Sequence, residues 1–216
     1  MTDLGPPLTG LELDPLIVGT DRRLAEQAGH SLAEVVQAVV PYATVLLREK
    51  DLPYPERAAL GAEIVAAGGA DLLLLVASDT DLAAELEARG IHLAADDPPA
   101  GTVDGLLVGR SCHDAAEVSA AHDEGVDYVS LSPVFPSISK PEHDQALEPA
   151  GLRFLTAGHP GLPVYALGGL TAENAGECVR CGASGVVAIG SVMGAEDPGQ
   201  VASDIRHAIA AAEEAP

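Results

Sequence analysis

Tyr128-Val129-Ser130-Leu131-Ser132-Pro133-Val134-Phe135-Pro136-Ser137-Ile138-Ser139-Lys140-Pro141 opens as a short apolar run and closes as a loop of hydroxyls, prolines and one lysine. A buried strand thus delivers polar groups at its C-terminal end. The same design recurs at Ala43 to Leu47, whose continuation is Arg48-Glu49-Lys50-Asp51. Lys50 and Lys140 are the only lysines in the chain. Two scarce cations directly after two strand-like runs predict a site for an anion.

Working outward, short β-branched or leucine-rich runs alternate with alanine-rich amphipathic segments about eight times. The runs are Leu16 to Gly19, Ala43 to Leu47, Leu72 to Val76, Ile91 to Ala94, Leu106 to Gly109, Tyr128 to Leu131, Val164 to Leu167 and Val186 to Ile189. Helices are expected near 31–40, 55–68, 80–89, 113–124, 149–157, 172–182 and 198–213, with a weak one around 97–104. An open doubly wound sheet is the rival arrangement. Eight regular units without a second domain favour closure into one (β/α)8 TIM barrel over residues 1–216, with 1–13 irregular. Reacting groups in such barrels project from the C-terminal strand ends. Gly168-Gly169 and Gly190-Ser191, after the last two runs, can bring bare backbone N–H groups close to an anion and form the expected phosphate position.

Of 216 residues, 47% are hydrophobic but only 3% aromatic, with no Trp, and the net charge is −22. The core is amply supplied. Such a charge repels phosphate backbones, and no array of stacking rings is visible, so nucleic acid is not expected as a partner. The acidic excess fits a salt-rich cytoplasm or a GC-rich genome, between which composition does not choose. No apolar run reaches membrane-spanning length, and Met1 to Gly10 lacks the basic start and apolar core of a signal peptide. A cytoplasmic location without a membrane partner is expected, and homo-oligomerisation is left open. Three cysteines make no disulfide framework. Cys178 and Cys181 have the spacing of half a zinc site, but no second pair follows, so packing on a helix face is the reading.

Several pieces taken together resemble the thiamine phosphate synthase/TenI superfamily, over Leu16 to about Pro198. They are Leu47-Arg48-Glu49-Lys50-Asp51, Gly90-Ile91-His92-Leu93, Val108-Gly109-Arg110-Ser111-Cys112-His113, Ser132 to Pro141, Ala166-Leu167-Gly168-Gly169 and Gly182-Ala183-Ser184-Gly185-Val186. Their order and spacing carry the resemblance, which itself implies a (β/α)8 barrel. In the synthase branch, hydroxymethylpyrimidine diphosphate loses diphosphate and the resulting cation is captured by the nitrogen of a thiazole phosphate. The resemblance implies that Arg48, Lys50, Ser111 and Lys140 hold diphosphate or thiazole, with Ser137 and Ser139 in the same loop. Asp97 matches one of two magnesium-binding positions.

Three departures from the synthase pattern stand out. Leu46 replaces a glutamine that hydrogen-bonds the pyrimidine side, which an apolar group cannot do. Ala77-Ser78 replaces Asn-Asp, removing a diphosphate contact and the second metal carboxylate. Asp79, one residue on, is the candidate substitute. The thiazole-phosphate half survives best, so the sequence favours a TenI-like thiazole tautomerase needing no cofactor. The alternatives are a magnesium-dependent synthase and a non-catalytic, regulatory thiazole-phosphate-binding protein. Tautomerisation requires an acid–base group. Pro133 stands where the family's tautomerase histidine would be, leaving His143, His113 and Cys112 as candidates. His92, inside a strand, reads as a structural histidine.

Overall fold

The computed structural model describes residues 13–101, 103, 105–136 and 146–214. Eight parallel strands close into a barrel in sequential order. They are β1 (Leu16–Gly19), β2 (Thr44–Leu47), β3 (Leu74–Ala77), β4 (Gly90–Leu93), β5 (Leu107–Cys112), β6 (Tyr128–Leu131), β7 (Val164–Leu167) and β8 (Gly185–Ala188). The helices are α1 (Arg22–Gln27), α2 (Leu32–Val39), α3 (Tyr54–Gly68), α4 (Thr80–Glu85), α5 (Ala115–Glu124), α6 (Glu148–Gly158), α7 (Ala172–Arg180), α8 (Gly190–Met193) and α9 (Pro198–Glu213). Closure rests on β1 pairing with β8, where Ile17 stands opposite Val187. The expected single barrel is therefore what the chain forms.

The strands are buried on both faces, and their period of two divides the core. Ile17, Leu46, Leu75, Ala77, Tyr128, Tyr165 and Val187 fill the barrel interior. Val18, Val45, Leu47, Val76, Ile91, Val129, Leu131 and Val186 face outward into the layer beneath the helices. Gly109 makes room for the Tyr128 ring, because a Cβ there would overlap it. Helix starts carry their own stop signals: Ser31 and Glu34 form a capping box on α2, and Asp79, Asp114 and Asp197 cap α4, α5 and α9.

Some expected bounds move. The expected weak helix around 97–104 is absent among the described residues of that stretch. Instead, the carbonyls of Ala94, Asp97 and Pro98 accept from the buried Arg110 guanidinium, which holds the segment as a loop. Strand β5 runs on to Cys112 rather than ending at Gly109, since Arg110, Ser111 and Cys112 pair with Val129, Ser130 and Leu131. The short helices α1 and α8 have no counterpart in the expected pattern. Only Ala25 of α1 is fully buried, so no apolar stripe announces that helix.

Candidate active site at the barrel mouth

Because all strands run parallel, the segments following β1 to β8 share one end of the barrel. The stretch after β2 is fixed by its neighbours. Arg48 N donates to Thr20 Oγ1 at 2.9 Å and Arg48 Nη1 to Thr20 O at 3.1 Å. Glu49, with φ of 28°, is buried and accepts from Arg22 N at 3.0 Å and Arg22 Nη1 at 2.6 Å. Arg22 also pairs with Asp51 through both guanidinium nitrogens. Anchored at Glu49 and Asp51, the intervening Lys50 reaches across to β3, where its Nζ donates to Ser78 Oγ at 3.2 Å. Ser78 Oγ in turn donates to Asp97 Oδ2, after β4, which also accepts from Ala94 N at 2.7 Å. Burial pushes the Asp97 carboxyl up. The hydrogen bonds from Ser78 and Ala94, with the charges of Lys50 and Arg110, outweigh it and hold the group below its usual range.

Arg57 of α3 sets the spacing of these strand ends. Its buried Nη2 donates to Leu47 O at 3.2 Å and Ala77 O at 2.7 Å. Asp79 is drawn to the same side, lying 3.4 Å from Arg57 Nη1 while its other oxygen caps α4 through Leu82 N. Both oxygens of Asp79 are thereby engaged away from Ser78 and Asp97. Among the described residues no three His, Cys, Asp or Glu side chains gather as a metal cluster. Asp97 stands as a single carboxylate beside Ser78 and Lys50. The Asp97 carboxylate and the Ser78 hydroxyl are the oxygens that could hold a magnesium ion, since such ions take only one or two protein carboxylates and keep water, while Lys50, a donor only, could not ligate it.

Below the mouth lies a polar network in the interior. His92 Nδ1 is 2.9 Å from the Tyr128 hydroxyl, and His92 Nε2 lies 3.0 Å from Ser111 Oγ and 3.1 Å from Ser130 Oγ. Burial, with the charges of Lys50, Arg48 and Arg110, lowers the His92 pKa to about 4. The imidazole is neutral near pH 7. His92 is the satisfied histidine its strand position predicts, but its place directly beneath Ser111 goes beyond that expectation. The available signal was the inward phase shared by His92, Ser111 and Ser130 on three consecutive strands.

The remaining candidates divide by position. Cys112, one residue from Ser111, takes the opposite face of β5 and is wholly buried in the outer layer. Burial pushes its thiol up to about 12. His113 is exposed, with Nδ1 2.9 Å from Glu117 of α5. Gly168 and Gly169 have φ of 102° and 62°, and a Cβ at either would strike the Pro133–Pro136 segment. That loop leans on them, with Val134 N donating to Leu167 O at 2.9 Å. Gly190 is open, a Cβ there meeting only Leu24 at 3.9 Å. Ser191 Oγ is buried without a hydrogen-bond partner among the described residues. Ser137, Ser139, Lys140 and His143 lie outside the described residues.

A family model described as thiamine monophosphate synthase matches residues 16–192, from the first residue of β1 into α8. The chain belongs to the thiamine monophosphate synthase family. That places it among the enzymes of thiamine biosynthesis. It is 33% identical over 230 residues to a thiamine-phosphate synthase of Roseiflexus sp., covering 98% of this chain and 95% of that protein. It is also 33% identical over 186 residues to the thiamine biosynthesis bifunctional protein ThiM/ThiE of Symbiobacterium thermophilum, with 82% of this chain covered but only 38% of that longer protein. Among solved structures, thiamine phosphate pyrophosphorylase from Pyrococcus furiosus superposes with a TM-score of 0.78 at 27% identity, covering 93% of this chain and 96% of that one. The family model and the Roseiflexus protein carry synthase names, so the weight moves from the tautomerase expectation toward its alternative.

Within this family the three departures have definite places. Leu46 and Ala77 project into the barrel interior beside Leu75 and Val187. Ser78 is partly buried, with φ of 56°, and its hydroxyl joins Lys50 to Asp97.

Proposed function

We propose that this chain is a thiamine-phosphate synthase, joining hydroxymethylpyrimidine diphosphate to a thiazole phosphate. The observation carrying the reading is the connected set Lys50, Ser78 and Asp97 across the ends of β2, β3 and β4, with Arg48 on the same β2 extension. The methylene C–O bond of the pyrimidine diphosphate breaks with its electron pair leaving on diphosphate. The lone pair of the thiazole nitrogen then forms the new C–N bond. Charge on the departing group decides such a barrier. Lys50 and Arg48 supply fixed positive charge there, and Ser111 supplies a hydroxyl. Magnesium held at Asp97, when bound, adds charge neutralisation for the diphosphate. The thiazole phosphate is assigned to the ends of β7 and β8, where Gly190 is open and the Ser191 hydroxyl has no partner among the described residues.

The test is an assay of thiamine phosphate formation by the purified chain, with and without magnesium, alongside conversion of the thiazole carboxylate phosphate tautomer. Magnesium-dependent coupling is expected. Tautomer conversion without coupling would overturn the synthase reading.

Thiazole tautomerase stays as a second reading because Leu46 and Ala77 leave the β2–β3 side of the interior apolar. Its proton carrier would be His143 or His113. Replacing each separately with Gln should slow tautomer conversion about a hundred-fold or more at unchanged ligand affinity if that reading holds.

A further inference from the structure

The interior network has a direction. The Tyr128 hydroxyl is wholly buried, and its partner among the described residues is His92 Nδ1. A protonated phenol in that position satisfies its hydrogen by donating, so Nδ1 accepts. The neutral ring must then carry its proton on Nε2, which faces the oxygens of Ser111 and Ser130. Ser130, also wholly buried, directs its hydroxyl toward Ser111 Oγ at 3.5 Å. The single Nε2–H is shared between the two serines, with Ser111 the nearer at 3.0 Å, and the Ser130 hydrogen also points at Ser111, so Ser111 Oγ accepts from below. Its own hydrogen is left to point outward, into the mouth where Arg48 and Lys50 bring positive charge.

We infer that Tyr128 and His92 form a positioning relay, in which the Tyr128 hydroxyl fixes the Nε2–H tautomer of His92 and thereby makes Ser111 a dedicated hydrogen-bond donor to an anionic substrate oxygen. The inference rests on the synthase reading for the anion, a diphosphate, but not for the tautomer. A serine hydroxyl free to rotate can accept from water or from Lys50 as readily as donate. The relay removes that choice, so no reorientation is needed when the anion arrives. Tyr128 touches no substrate, and His92 acts through Ser111. Both burial and the nearby cations disfavour a charged His92, which keeps the relay in its neutral form. Gly109 belongs to the same device, because any side chain there would expel the Tyr128 ring from under His92.

Two measurements on the full chain test this. Nitrogen-15 NMR of the histidine rings at neutral pH should show His92 with Nε2 protonated and Nδ1 bare, and Tyr128→Phe should release that preference. A bare Nε2 in the unmodified chain would overturn the relay outright. Calorimetric titration with inorganic pyrophosphate and magnesium forms the second arm. Ser111→Ala should weaken binding about 10- to 100-fold and Tyr128→Phe about 3- to 10-fold. The double variant should bind no more weakly than Ser111→Ala alone. His92→Gln, which retains an N–H directed at Ser111, should keep most of the affinity, whereas His92→Leu should lose as much as Ser111→Ala. Additive losses in the double variant would show that Tyr128 acts on general stability and refute the relay. If the unmodified chain binds no pyrophosphate, the synthase reading fails, and the nitrogen shifts alone decide the relay.

Discussion

Lys50 Nζ lies 3.2 Å from Ser78 Oγ, linking the end of β2 to the end of β3 across the barrel mouth. Lys50 is exposed, with its Nζ on the Ser78 hydroxyl, so its contribution belongs to ligand charge rather than to folding. Lys50→Met should leave stability within about 0.5 kcal/mol of the unmodified chain. Thiamine phosphate formation should fall about a hundred-fold, the scale expected when one fixed charge is removed from a developing anion. Urea unfolding and a coupling assay on the same sample separate the two effects. Unchanged coupling would remove Lys50 from the site.

Asp97 is the next link. Asp97→Asn keeps a carbonyl oxygen to accept from Ala94 N but removes the charge. Coupling at saturating magnesium should drop by at least about a hundred-fold, with the magnesium concentration for half-maximal rate raised. Ser78→Asp runs the other way, placing a second carboxylate beside Asp97 at a left-handed position that Asp tolerates better than most residues. It should lower the magnesium requirement. A lower requirement in Asp97→Asn, or a higher one in Ser78→Asp, would contradict this placement of the metal.

The eight strands are legible because each is a short apolar run bounded by polar residues, and three of them, β1, β6 and β7, keep their expected bounds. Strand β5 is misjudged because Arg110 and Ser111 look like loop residues. One is neutralised by Glu124 and the other is held inside by His92, partnerships that appear only after closure. Arg48, Lys50, Ser111 and Asp97 can be picked from strand ends. The relation of His92 to Tyr128 and Ser130 cannot, since it depends on the register that sets His92 opposite Gly109 and Gly109 opposite Tyr128. Asp79 is the converse case. Its sequence position allowed a metal role, but the N-cap of α4 and Arg57 hold both its oxygens.

His92 predicts a pH dependence of stability. Its pKa falls from 6.5 to about 4 on folding, chiefly by burial and then by Lys50, Arg48 and Arg110, with Asp97 opposing. Between those values the unfolded chain binds a proton that the folded chain refuses, so stability falls as pH is lowered from about 6.5 toward 4. The loss attributable to this residue should approach about 3 kcal/mol. Urea unfolding across that window should show a shallower pH slope for His92→Gln than for the unmodified chain. Equal slopes would mean that His92 is not titrating as its burial requires.

Gly109→Ala tests the interior packing directly. A Cβ overlapping Tyr128 Cζ cannot be relieved by small adjustments, because that ring is wholly buried and packs at 5.4 Å centroid separation against Tyr165. Destabilisation of about 3 kcal/mol is expected. Gly109→Ala combined with Tyr128→Leu should recover much of it, as the smaller side chain vacates the clash. If the double variant is no more stable than Gly109→Ala alone, the clash is not the cause.

Salt should stabilise this barrel. Thirty-three acidic residues face eleven basic ones, a net charge of −22, so the folded surface repels itself. Local ion pairs such as Arg22 with Asp51 and Arg23 with Asp51 weaken on screening, but exposed pairs of this kind contribute about 1 kcal/mol or less each. The excess of acidic over basic residues outweighs them. Raising sodium chloride from about 0.05 M to 1 M shortens the screening length to about 3 Å and should raise stability by about 1–2 kcal/mol, or the melting temperature by about 2–8 °C. Sodium chloride is the appropriate probe, since sulfate also strengthens apolar burial. A melting temperature that falls with sodium chloride would show that the paired charges, not the net charge, govern the surface.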